Sequence, residues 1–325
     1  MTVLITGGAG YIGSHAVLAF HEAGRAVVVV DDLSTGHREA VPEGIPFFEG
    51  DVGDQAFMQA LLDAQEISSV VHFAGKLIVP ESVERPLAYY RSNTAASRNL
   101  LDACVKTGVR RFIFSSTCAV YGIADRLPLS EDSPTNPINP YGRSKLMTEW
   151  MLADAARAHD LAFVALRYFN VAGADPKGRA GQSTPNATQL IKVACEATVG
   201  LRDGVTVFGE DYDTPDGTCI RDYIHVSDLA DAHVAALRHL EAGGESRVLN
   251  CGYGHGVSVR QVLDAVQRVS GRGLAVWAGP RRAGDPPCLF ADVSRIHDLL
   301  GWRSARDDLQ EIVASALGWE RKLQE

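Results

Sequence analysis

A chain of 325 residues has room for one large domain or two of medium size, and 46% hydrophobic with 22% charged residues describes a globular protein able to bury a sizeable core. A net charge of −9 excludes general nucleic-acid binding, which needs a basic surface, and no apolar run approaches the length that spans a membrane. Cys104, Cys118, Cys195, Cys219, Cys251 and Cys288 are scattered without a CxxC pair, and no export signal is visible, so the expectation is a cytoplasmic protein with reduced thiols.

In chain order, residues 3–6 read as a buried strand that runs into Gly7-Gly8-Ala9-Gly10-Tyr11-Ile12-Gly13 and then a helix over 11–23. Glycines at this spacing allow a tight turn, close approach of backbone to a pyrophosphate, and close packing of helix on strand. The helix N-terminus then offers free N–H groups and a partial positive charge to phosphates. A second strand over 26–31 ends in Asp31, 18 residues past Gly13, where a carboxylate accepts hydrogen bonds from ribose hydroxyls and repels a 2′-phosphate. The cofactor expected is therefore NAD rather than NADP. Asp51 follows the third strand and is a candidate adenine contact, although Asp31 and Asp51 could each simply end a strand.

Helical patterns over 54–64, 91–107 and 141–159 alternate with strands over 69–73, 111–115 and 163–167. This βαβα order predicts an α/β fold, a doubly wound parallel sheet of Rossmann type with helices on both faces. Ser115-Ser116-Thr117 falls at the carboxyl end of its strand, where such sheets place ligands. Thr117 could act there as a catalytic hydroxyl or as a turn cap. Tyr141 and Lys145, four residues apart on a helix, share one face. An ammonium beside a phenol favours the phenolate, and with a hydroxyl the set suits removal of a proton from a secondary alcohol.

From about residue 171 the texture changes. Gly, Pro and polar residues dominate 171–185, a helix covers 189–199, and 211–218 is loop-like. The division expected is a dinucleotide-binding domain over 1–170 and a smaller, irregular C-terminal substrate lobe over 171–325, with some segments returning to the first. Gly252-Tyr253-Gly254-His255-Gly256, between a strand over 248–250 and a helix over 259–269, imitates a second nucleotide turn. It lacks the third-spaced glycine, and a plain turn is the expectation.

At this point the chain resembles the extended short-chain dehydrogenase/reductase superfamily and, within it, the UDP-glucose 4-epimerases. The matching runs are TGGAGYIGSH from Thr6, HFAGK from His72, FIFSST and AVYG around Thr117, YGRSK from Tyr141, LRYFNVAGA from Leu166, GTCIRDYIHVSDLADAH from Gly217 and RRAGD from Arg281. The resemblance implies that Tyr141 is the acid/base, Lys145 its electrostatic partner and a ribose ligand, and Thr117 the assisting hydroxyl. It places Gly7, Gly10, Tyr11, Ile12, Gly13, Asp31, Asp51, Val52, Phe73, Ala74, Lys76, Asn93, Lys145 and Phe169 around NAD. Asn170, Gln189, Leu190, Phe208, Arg221, Arg282, Asp285 and Leu289, with Thr117 and Tyr141, would hold a UDP-sugar. It implies C4 epimerisation of UDP-glucose and UDP-galactose through a 4-keto sugar, no metal, no membrane partner, and a homodimer.

Related dehydratases and decarboxylases carry an acidic residue just after the active-site Thr or Ser. Cys118 and Ala119 stand there in this chain, which argues against both reactions. Nucleotide-sugar reductases use the same triad, and a non-enzymatic NAD-binding regulator would not need it. Leu289 aligns with a bulkier Tyr, so N-acetylhexosamine or pentose nucleotides are alternative substrates. Residues 185–191 depart from the usual family run.

Overall fold

The computed structural model describes residues 1–325 except Asp125, Pro185, Asn186, Ala283 and Gly284. Parts of two sequence readings, the 185–191 stretch and the RRAGD run, thus lie outside the described residues.

Strands β1 (Thr2–Thr6), β2 (Ala26–Asp31), β3 (Phe47–Glu49), β4 (Ile67–His72), β5 (Arg111–Thr117) and β6 (Ala162–Tyr168) form the central sheet. Short strands β7 (Asn170–Ala172), β8 (Val205–Phe208), β9 (Ile220–Arg221) and β10 (Tyr223–His225) follow, and then β11 (Arg247–Cys251), which joins that sheet. The spatial order is β11-β6-β5-β4-β1-β2-β3, with every neighbouring pair parallel. The stretch read from sequence as the strand before the second glycine turn is thus the seventh strand of the main sheet. The chain crosses back from its C-terminal half to supply it.

Successive side chains of a strand point to opposite faces, and the apolar pattern fills both. Val3, Ile5, Val27 and Val29 pack against α1 (Tyr11–Glu22) and α8 (Val226–Glu241), named by position in the chain. Leu4, Val28 and Val30 pack against α2 (Gln55–Ala64), α5 (Ala96–Thr107) and α6 (Pro140–Ala158). Between α2 and α5 lie α3 (Val79–Glu84), α4 (Pro86–Tyr89) and a π-helical turn, Tyr90–Ala95. The single helix expected over 91–107 is therefore two segments.

A separate apolar core is built on α7 (Leu190–Thr198), β8, α9 (Val259–Ser270) and α11 (Leu309–Lys322), while α10 (Ser294–Leu300) packs on the main-sheet core. Strands β12 (Val257–Ser258), β13 (Val276–Gly279) and β14 (Cys288–Leu289) complete it; β9 lies between β12 and β14, and β13 pairs with β8. Val120, Tyr121, Leu129, Leu146, Phe169, Leu289 and Ala291 form a fourth apolar cluster where the two lobes meet. It lies by the carboxyl ends of β5 and β6.

Candidate active site

Sheet order reverses between β1 and β4, which is where open α/β sheets bind ligands. Gly7 ends β1 at that point with a φ of +69°, and a Cβ there would lie 2.6 Å from the Ala74 nitrogen just past β4. A Cβ on Gly13 would lie 2.0 Å from the Gly7 carbonyl oxygen. Both glycines are thus demanded by close backbone approach. The helix that follows, α1, has no side-chain cap at Gly10 and no acidic residue in its first turn among the described residues. Its leading N–H groups are therefore open to an anion.

Asp31 is buried at the end of β2. Its Oδ2 accepts from the Ala9 N–H and its Oδ1 from the Leu33 N–H, both at 2.9 Å. Burial raises its pKa, and these two donors oppose the rise. A carboxylate has about four acceptor sites, so the oxygens retain capacity for two ribose hydroxyls. Asp51 accepts from the Gly53 N–H at 2.7 Å, and Val52 and Asn99 line the same end of the cleft.

Asn93 stands behind the loop that carries Phe73, Ala74 and Lys76 along the cleft. It is buried in the π-helical turn, where its Oδ1 accepts from the Lys76 N–H at 2.8 Å and its Nδ2 donates to the Lys76 carbonyl at 2.9 Å and to Ser144 Oγ at 3.0 Å. Both amide hydrogens are donated to protein, and Oδ1 keeps one acceptor site. Asn93 shapes the 73–76 loop, and π-turns concentrate at such places.

A single cleft of about 2120 Å³ brings together the remaining candidates: Gly7, Gly10, Tyr11, Ile12, Gly13, Asp31, Asp51, Val52, Phe73, Ala74, Lys76, Thr117, Tyr141, Lys145, Phe169, Asn170, Gln189, Leu190, Phe208, Arg221, Arg282, Asp285 and Leu289. Helix α6 begins at Pro140, where a missing N–H costs nothing, and Asn139 caps it by accepting from Gly142 N–H at 2.8 Å. That start sets Tyr141 in the first turn and Lys145 one turn on. Thr117 ends β5, lines the cleft, and also accepts from the Ala119 N–H at 3.2 Å. It is a cap and a cleft hydroxyl at once.

Burial raises the Tyr141 phenol to about 12, a hydrogen bond with Thr117 opposes the rise, and the Cys118 thiol adds to it. The Lys145 ammonium donates to the Ser115 carbonyl at 2.9 Å and lies 4.9 Å over the Phe114 ring. Burial holds that ammonium down at about 8, so it is charged at neutral pH.

Across the cleft, Arg221 on β9 stands in register with Leu289 on β14. Asp285 Oδ1 approaches Arg221 Nη2 at 3.5 Å, and the Asp285 N–H donates to the Arg282 carbonyl at 3.2 Å, so Asp285 meets both arginines. The Arg282 guanidinium lies 3.9 Å over the Phe208 ring. Gln189 precedes α7 and accepts from Gln182 Nε2 at 2.9 Å.

Sequence reasoning missed Ser115, Tyr168, Gln182, Trp319 and Glu320, which line the same cleft. Ser115 and Tyr168 share a hydrogen bond between their hydroxyls, and Ser115 lay in a run already singled out. Trp319 and Glu320 come from α11, and their arrival depends on folding of the whole second lobe. The second glycine turn is filled by the chain itself: Asp222 accepts from the N–H groups of Tyr253 at 2.9 Å and Gly254 at 3.1 Å, and a Cβ on Gly252 would lie 2.5 Å from its carboxylate. An internal carboxylate occupies the anion cradle, which makes it a structural turn.

Residues 3–252 match the NAD dependent epimerase/dehydratase family. The UDP-glucose 4-epimerase of Azospirillum brasilense is 57% identical over 323 residues, 99% of this chain and 93% of that protein. Among solved structures, UDP-glucose 4-epimerase from Brucella ovis in complex with NAD shares 48% identity and a TM-score of 0.95, covering 98% of this chain and 97% of that one. The Bifidobacterium longum UDP-glucose 4-epimerase in complex with NAD+ and UDP shares 37% identity and a TM-score of 0.93, covering 99% and 98%. The chain belongs to the NAD dependent epimerase/dehydratase family and, within it, to the UDP-glucose 4-epimerases.

Proposed function

We propose that Tyr141, Lys145 and Thr117 carry out reversible C4 epimerisation of UDP-glucose and UDP-galactose in this cleft. The observation that carries the reading is that these three groups share one cleft with an uncapped helix N-terminus at one end and the Arg221–Arg282 pair at the other.

The uncapped end of α1 and the Asp31 carboxylate fit a dinucleotide, with Gly7, Gly10, Tyr11, Ile12 and Gly13 at the pyrophosphate, Asp31 at the adenosine ribose, and Asp51 and Val52 at the base. Phe73, Ala74, Lys76, Lys145 and Phe169 line the rest of that path. When bound, NAD supplies the hydride acceptor and donor at C4 of the sugar and brings a positive ring into the cleft.

Tyr141 removes the proton from the 4-hydroxyl and returns one to the ketone oxygen. Lys145, charged at neutral pH and stripped of water, favours the phenolate during that exchange. Thr117 shares a hydrogen bond with the phenol and with the sugar oxygen. Inversion requires the keto sugar to present its opposite face, so the hexose must be held loosely while the nucleotide is held firmly. Arg221 and Arg282 provide a forked grip for a diphosphate, Phe208, Gln189 and Leu190 enclose the nucleoside, and Asn170 and Asp285 take hydroxyls.

The chain acts as a homodimer in the cytoplasm, in galactose and related nucleotide-sugar metabolism. Support for the dimer comes from an open apolar groove lined by Tyr90, Thr94, Met147 and Met151, beside Trp150, which is 57% exposed. Purification without added NAD followed by assay with UDP-glucose tests the function: UDP-galactose forms and NAD copurifies. A strict requirement for stoichiometric added cofactor would instead identify a reductase. A monomer by light scattering would refute the dimer.

A further inference from the structure

Tyr141, Lys145 and Glu149 follow one another at four-residue intervals along α6 and so share a face. The first two line the cleft; Glu149, 4% exposed, turns beneath the catalytic strands. Its Oε1 accepts from the Ser116 hydroxyl at 2.5 Å and from Arg167 Nε at 3.0 Å, and its Oε2 accepts from Arg167 Nη2 at 2.6 Å. Ser116 immediately precedes Thr117 at the end of β5. Arg167 precedes Tyr168 at the end of β6, and its guanidinium lies 4.8 Å over the Tyr121 ring. One carboxylate therefore ties the helix that carries Tyr141 and Lys145 to both strands that form the catalytic wall.

Stability does not explain such an arrangement. A buried ion pair contributes little net stability compared with apolar residues of similar volume. Here Arg167 Nη1 is also left buried without a partner among the described residues, which is itself a cost. What a two-pronged pair adds over apolar contact is direction, because its planar fork admits one placement of helix against strand.

We propose that Glu149 is a positioning residue of the reaction: through Ser116 and Arg167 it sets where the Tyr141 phenol stands relative to the Thr117 hydroxyl. It touches neither substrate nor cofactor. The inference rests on the roles given above to Tyr141 and Thr117. Misplacement of a reacting group by about 1 Å can cost on the order of a hundredfold in rate, so the geometry is worth holding at the expense of a buried charge.

The test compares the parent with Glu149→Gln and with the double variant Glu149→Met, Arg167→Met, measuring kcat, KM for UDP-glucose, bound NAD and melting temperature. The expected result for Glu149→Gln is a kcat at least tenfold lower, with KM within twofold and NAD retained. The double variant removes the pair without stranding a buried charge; its melting temperature returns close to the parent's while kcat stays at least tenfold down. Recovery of kcat along with stability would overturn the proposal, as would equal losses in kcat and 1/KM for Glu149→Gln. Should the double variant not fold, Ser116→Ala decides: a kcat loss of threefold or more at unchanged melting temperature supports positioning, and unchanged kcat overturns it. A parent that does not epimerise UDP-glucose overturns the reading of the site itself, whereas an active parent matched by its variants overturns this inference alone.

Discussion

Lys145 Nζ donates its hydrogen bond to the Ser115 carbonyl, a neutral acceptor, so among the described residues a buried ammonium is held here without a carboxylate partner. Burial sets its pKa at about 8 against an ordinary 10.5. Between those values the folded chain binds fewer protons than the unfolded chain, so this group makes stability rise as pH climbs from about 8 to 10.5. Below about 8 the cost of burying the charge is present in full. Lys145→Met is therefore expected to stabilise the fold at pH 7 by up to roughly 3 kcal/mol while lowering kcat by about a hundredfold. Denaturant unfolding of parent and variant at pH 7 and pH 10 checks this: the variant's advantage shrinks at the higher pH. An advantage that grows with pH would refute it.

Tyr141→Phe keeps the ring and removes the proton carrier. Burial, with a smaller push from Cys118, raises this phenol to about 12, and with the proton carrier removed kcat should fall by about 10² to 10⁴. KM and bound NAD should stay within a few-fold of the parent. Normal epimerisation by this variant would leave Tyr141 without an acid/base role, whereas a chain that binds NAD only for regulation would epimerise neither as parent nor as variant.

Much of this site was legible because its parts are local in sequence. Gly7, Gly10 and Gly13 answer to one turn, Tyr141 and Lys145 to one helix face, and Asp31 to the end of one strand. What escaped depends on contacts between distant segments. The π-helical turn that directs the Asn93 amide to Lys76 and Ser144 has no local sequence signal. Lys145 is set by its helix, but residue types do not reveal that its ammonium also donates to a backbone carbonyl 30 positions away. The strand over 248–250 is legible, but nothing local says that, as Arg247–Cys251, it pairs with β6 in the main sheet. Asp222, which fills that turn, has no local signature at all.

Gly13 tests the nucleotide turn. A Cβ there meets the Gly7 carbonyl oxygen at 2.0 Å, and that oxygen belongs to the backbone and cannot move aside alone. Gly13→Ala must therefore displace the turn or the start of α1. The expected outcome is protein that purifies with less than a tenth of the parent's NAD and loses activity in proportion, read by absorbance of released cofactor. Gly24→Ala is the control, since its Cβ would meet no atom within 4 Å; positive φ there strains the chain without touching the cleft. Full NAD in Gly13→Ala would remove the pyrophosphate from this turn.

Leu289 bears on which sugars enter. It is buried on β14 beside Arg221, packs with Val120, Tyr121 and Phe169, and still lines the cleft. Its side chain is thus a wall of the chamber between the catalytic hydroxyls and the arginine pair, and a larger residue there has nowhere to go except into the chamber. Leu289→Tyr should leave kcat/KM for UDP-glucose within about threefold, because a C2 hydroxyl needs little room. An N-acetyl group at C2 adds three heavy atoms to the same region, so UDP-N-acetylglucosamine should lose tenfold or more, about 1.4 kcal/mol of discrimination. Equal losses for the two substrates would mean that Leu289 only supports the cluster beneath the site. Selective loss of the N-acetylated substrate would locate the sugar's C2 substituent against β14, and would account for the small residue at a position held tightly by packing on every other side.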